Sequence, residues 1–150
     1  MISKIIDLSD YDAFIDQVGI FKNVLNKEVA QFFYQYFSGL RDIIYMTETD
    51  SKFVLSNNTQ LEYSSSKKYS KPFIYYSQGH VVGVDIKQDY LPKMKGLVTI
   101  NDKSVYTNVA QAVFRLRKLN LGHSIDILFI TNEKDIQLSS TDVCNLIKCN

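Results

Sequence analysis

The sequence predicts an α/β fold: a single domain over residues 1–150, built on a largely parallel sheet flanked by helices. Three observations predict it. The apolar run at 73–76 reads as a buried strand, and further strands are read at 97–100 and 124–131. A helical segment at 107–122 separates the last two runs, so strand, helix and strand follow one another as a crossover, the connection that parallel neighbours require. With 150 residues, 45% hydrophobic and 22% charged, the chain has the size and composition of one globular core.

The elements follow in order. Residues 1–8 carry Ile2, Ile5, Ile6 and Leu8. Residues 11–18 form a short strand or a short helix, and periodicity does not decide between them. A helix begins near Asn26, with Glu28 in its first turn, where a carboxylate suits the helix dipole. Val29, Phe32, Phe33, Tyr36 and Phe37 give it a wide apolar stripe, and Gly39 ends it. Apolar runs at 43–46 and 53–55 lie across a polar turn at 47–51 and read as a hairpin or two adjacent strands. Residues 60–71, with Ser64, Ser65, Ser66, Lys67 and Lys68 at their centre, read as a surface loop that Pro72 closes.

Phe73 to Tyr76 is a buried strand, and Gly79 and Gly83 mark the segment after it as one where backbone bends or approaches a ligand. Another strand covers 97–100. Thr107 is placed to cap the helix that follows and Gly122 to stop it. Val109, Ala112, Val113 and Leu116 give that helix a face to bury, while Gln111, Arg115 and Lys118 share a neighbouring stripe. Arg117 lies off the stripe, beside Phe114. The strand at 124–131 comes next, and 139–149 reads as a closing helix capped by Ser140 or Thr141.

Charge narrows the functional classes. A formal net charge of +1 gives no global attraction to nucleic acid or to an acidic membrane, so any basic site is local. No apolar run approaches the roughly 20 residues that span a bilayer, and the amino terminus carries no signal-peptide pattern. Cys144 and Cys149 have neither zinc nor redox spacing and read as free thiols, which points to a reducing intracellular compartment, cytoplasmic or nuclear. In an open α/β sheet ligands collect at the carboxyl ends of the strands. The 79–87 segment follows one strand and the Gln111–Lys118 helix follows the next, so both are expected at that edge.

These two segments carry a resemblance. Gly83-Val84-Asp85-Ile86 resembles the Gly-x-Asp core of the fifth motif of superfamily-2 helicases. Gln111-Ala112-Val113-Phe114-Arg115 resembles their sixth motif, in which Gln or His precedes an arginine by four residues. A closer similarity is to very large helicase-like proteins of eukaryotes and giant viruses, which carry Tyr-Asp-Gln-x-His-Thr-Thr-Gly-x-Asp-Ile-Lys-Gln followed by Ala-Gln-x-x-x-Arg-x-Arg. The corresponding residues here run from Tyr76 to Gln88 and from Ala110 to Arg117. The resemblance implies a RecA-like sheet, of the type that forms the second motor domain.

It also implies roles. Gly83 would let backbone approach a nucleotide or its partner loop. Asp85 would couple the nucleotide site to the nucleic-acid site, within a loop that includes Ser77, His80 and Lys87. Gln111 would face the nucleotide phosphates, and Arg115 would act as an arginine finger at the carboxyl-end cleft, with Arg117 as the second arginine. Lys118 stands where superfamily 2 usually has that second arginine. Ser77 stands where the closer family has Asp, and Val81 and Val82 replace its two threonines. His80 beside Asp85 reads as a structural or supporting residue rather than a catalytic dyad.

No Gly-x-x-x-x-Gly-Lys-Ser/Thr occurs in the sequence, and no Asp-Glu-x-His is present to hold magnesium. The expectation is therefore a half-site. ATP or another NTP with Mg2+ would bind only when an N-terminal RecA-like domain, in the same chain or another, completes the cleft, and none would be bound alone. DNA or RNA would be the polymer partner, and no membrane is expected. The alternative is a degenerate interaction module that kept the scaffold and lost the chemistry. A third reading, an independent nucleic-acid binder, would use Lys67, Lys68 and Lys71.

Overall fold

The computed structural model describes residues 7–69, 71–80, 86, 93–116 and 121–130. Among them one seven-stranded sheet forms the centre of the fold. Its strands are β1 (Ala13–Ile15), β2 (Ile43–Met46), β3 (Lys52–Ser56), β4 (Thr59–Glu62), β5 (Phe73–Tyr76), β6 (Met94–Ile100) and β7 (His123–Phe129). The order across the sheet is β4-β3-β2-β5-β1-β6-β7. Strands β2, β5, β1, β6 and β7 run parallel, while β3 and β4 are joined to β2 as an antiparallel meander. The sheet is thus mixed, in an α/β fold with two α-helices among the described residues, α1 (Asn26–Tyr36) and α2 (Tyr106–Val113).

Both faces of the central strands are buried, which explains their unbroken apolar runs. On one face Phe14, Ile43, Tyr45, Phe73, Tyr75 and Leu97 pack under Val29, Ala30 and Phe33 of α1. On the other, Ala13, Ile15, Ile44, Ile74, Tyr76 and Val98 pack with Ala112 of α2 and with Leu116. Alternation along each strand sends neighbours to opposite helices. Phe33 is the hub of the first face, with ring centroids 4.9 Å from Phe73, 5.6 Å from Phe14 and 5.7 Å from Tyr75.

Several expectations are resolved or corrected. Residues 11–18 hold a strand, β1, only three residues long, at the centre of the sheet. The runs at 43–46 and 53–55 form a hairpin, with Ile44 paired to Val54. The supposed loop at 60–71 begins instead inside β4, an edge strand with all four residues exposed. Asn57 and Asn58, with φ of 49° and 60°, make the two-residue turn into it, the conformation that Asn tolerates best after Gly.

The helix expected at 107–122 starts at Tyr106, without a side-chain cap from Thr107, and stops at Val113. Its last turn tightens: Arg115 N–H donates to Ala112 O and Leu116 N–H to Val113 O, each three residues back. That turn carries Leu116 into the core over Gly96, where an added Cβ would lie 2.7 Å from Leu116 Cδ1. Helix α1 ends as expected, with Gly39 at φ 70° donating to Tyr34 O. The segment at 139–149, with Cys144 and Cys149, lies outside the described residues.

Candidate functional site

Three parallel strands, β1, β5 and β2, end together at one edge of the sheet, and a cleft of about 280 Å3 opens there. Asp16 follows β1 directly and is 1% exposed. Its Oδ1 accepts from the N–H groups of Gly19 at 2.9 Å and Ile20 at 2.8 Å and from Thr99 Oγ1 at 3.2 Å. Its Oδ2 accepts from Phe21 N–H at 2.9 Å. The loop after β1 therefore wraps its amides around a carboxylate of its own chain. Amides that converge in this way form a nest suited to an anion, and here Asp16 supplies the anion. Burial pushes the Asp16 carboxyl above its ordinary range, against the pull of those four donors.

The rest of the edge is tied to this loop. Gln78 Nε2 donates to Gln17 O and Val18 O, each at 3.2 Å. Gly19, at φ 81°, leaves room for that side chain, since a Cβ there would lie 2.5 Å from Gln78 Oε1. Ser104 Oγ donates to Gln17 Oε1 at 2.9 Å and so joins the segment after β6 to the same loop. At the start of α1, Asn26 N–H donates to Glu48 Oε1 at 2.7 Å, which places a carboxylate on the positive end of the helix. Asn26 Nδ2 donates to Met46 O at 3.0 Å and to Ser77 Oγ at 3.2 Å. Burial, reinforced by the negative charges of Asp16 and Glu48, holds the Tyr75 hydroxyl well above its ordinary pKa, so this wall of the cleft stays protonated.

Of the residues singled out by sequence, Ser77 lies at this cleft, on the end of β5. His80 falls in the short 3-10 helix Gln78–His80 that follows. Gly83, Asp85, Lys87 and Arg117 lie outside the described residues. Gln111 is exposed on α2, whereas Arg115 is buried at 9% exposure in the turn beyond it, so the two do not share a solvent-facing stripe. Neither lines the carboxyl-edge cleft. The reason is the direction of α2. It runs back from the carboxyl end of β6, and its final turn arrives over the first half of that strand, where Leu116 meets Gly96.

Sequence reasoning missed Asp16 and Asn26, which organise the edge. A signal was present in Asp16 followed three residues later by Gly19, a spacing at which a carboxylate can accept from its own loop amides. No family model, no curated protein and no solved structure matches the chain.

Proposed function

We propose that this chain is the second RecA-like domain of a helicase-like NTPase, supplying Arg115 to a nucleotide site that another RecA-like domain completes. One observation carries the reading. Strands β6 and β7 are parallel neighbours joined through α2, and Gln111 stands on that helix four residues before Arg115, which occupies the turn where the helix ends. The strand β5, which leads toward the Gly83–Asp85 motif, is separated from β6 only by β1. The order of the two segments and the strand between them fit the resembled motifs. The exposed apolar side chains at the two ends of α2, Tyr106 at 84% and Phe114 at 61%, favour a partner that approaches the α2 face.

In this reading Arg115 places a planar cation on the charge that develops during phosphoryl transfer, and Gln111 orients beside the phosphates. The phosphate loop and the magnesium ligands come from the partner domain. Turnover of ATP by the isolated chain and by its assembly with a Walker-loop domain, with Arg115→Lys as the probe, tests the reading.

A second reading, a non-catalytic interaction module on the same scaffold, is favoured by the burial of Arg115. If Arg115 is only scaffold, Arg115→Ala lowers the melting temperature and leaves the assembly's turnover intact.

A further inference from the structure

At the opposite edge of the sheet, residues just before the four adjacent strands β2, β5, β1 and β6 line a cavity of about 570 Å3. Each strand is preceded there by a charged residue: Arg41 before β2, Lys71 before β5, Asp12 before β1 and Lys93 before β6. Arg41 and Asp12 neutralise one another across 2.8 Å. Arg41 also donates to the carbonyls of Tyr11, Lys71 and Pro72, and its guanidinium lies 4.8 Å from the Phe37 ring centroid. These bonds fix the frame of the cavity and hold the backbone of Lys71, at φ 44°, in place. Among the described residues no carboxylate pairs with the ammonium of Lys71 or of Lys93. Among the described residues the cavity therefore has three cations against one carboxylate, in a chain whose net charge is only +1.

We propose that this amino-edge cavity binds an organic phosphate of nucleotide size. Two ammoniums with no carboxylate partner among the described residues suit a phosphate dianion, for which lysine serves as a point charge. Leu40, 77% exposed, offers apolar surface to the rest of the ligand. The volume lies within the range of roughly 300–1,000 Å3 in which small molecules bind. Residues as far apart in sequence as Asp12 and Lys93 meet there only because their strands are neighbours, so the site belongs to the fold and not to any local motif. It does not rest on the half-site reading, since neither Gln111 nor Arg115 lines it.

Titration calorimetry of the full chain tests the proposal, with AMP, inorganic phosphate and a short oligothymidylate as probes. AMP should bind saturably and more weakly at high salt, with affinity falling about tenfold or more for Lys71→Glu and for Lys93→Glu. Lys67→Glu, on the exposed serine-rich loop, should leave it within about twofold. Lys71 and Lys93 lie on different loops, so if one variant fails to melt cooperatively the other still serves. Full competition by inorganic phosphate supports recognition of the phosphate itself, and lysine-dependent competition by oligothymidylate supports the same anion site with a strand as the source. Absence of binding by all three probes, or binding that neither lysine variant weakens, overturns the proposal.

Discussion

Asp16 shows how one residue sets the character of an edge. Its two oxygens accept four hydrogen bonds, and no neutral side chain of the same shape can do this. In Asp16→Asn the amide nitrogen replaces one oxygen and sets a donor against a donor. With the nitrogen at Oδ2, Phe21 N–H loses its acceptor, and with it at Oδ1, three donors do. We expect a loss of about 1–3 kcal/mol by denaturant unfolding, the cost of leaving a buried polar group unpaired. A variant as stable as the original would show that the nest does not depend on the carboxylate. Tyr11 gives a second test at this scale. Burial, aided by its 2.7 Å hydrogen bond to Asp126, pushes its phenol up to about 12. Between the ordinary value of 10.0 and about 12 the folded chain keeps a proton that the unfolded chain has lost. Stability should therefore fall as pH rises through that window, and Tyr11→Phe should flatten the fall. An unchanged slope in Tyr11→Phe would assign the alkaline loss elsewhere.

Among the elements, what was legible in the sequence follows from burial. Strands β5 and β6 could be read as apolar runs because the sheet is covered on both faces there, whereas β7 is an edge strand on which Ile127 and Phe129 stand about half exposed among the described residues. Strand β1 could not be decided, because three residues are too few to show a period and only its neighbours make it a strand. Strand β4 was missed for the opposite reason. Thr59, Gln60, Leu61 and Glu62 are exposed, and the Asn57-Asn58 turn was the sole local sign of the hairpin. The length of α2 was overread because apolar spacing continues through Val113 to Leu116 although the helix has already ended. That turn depends on Gly96. Gly96→Ala sets a Cβ 2.7 Å from a buried Leu116 methyl, and we expect it to cost about 1–3 kcal/mol. Leu116→Ala should cost about 2–5 kcal/mol alone, and the double variant should be more stable than the sum of the two predicts. Additive losses in a double-mutant cycle would contradict the contact.

The whole molecule joins two edges of one sheet with different chemistry. The carboxyl edge is braced by its own side chains, with Asp16 filling the nest after β1 and Asn26 tying α1 to Met46 and Ser77. The amino edge is open and cationic. Sequence patterns could indicate the first edge, because motifs follow strands, but not the second, because Arg41, Lys71 and Lys93 belong to no common motif. The expected gathering of Arg115 with Ser77 failed for a reason of direction: a helix that leaves one edge of a sheet delivers its last residues toward the other. The half-site account then requires that the partner meet the α2 face. The most direct measurement is steady-state ATP turnover by the isolated chain and by its assembly with a Walker-loop domain, each with Arg115 or Lys at position 115. The account predicts no turnover above background by the chain alone, and an assembly whose turnover falls by about 10³ or more in Arg115→Lys although the variant folds. Hydrolysis by the isolated chain that depends on Arg115, or near-normal turnover by the Arg115→Lys assembly, would contradict it.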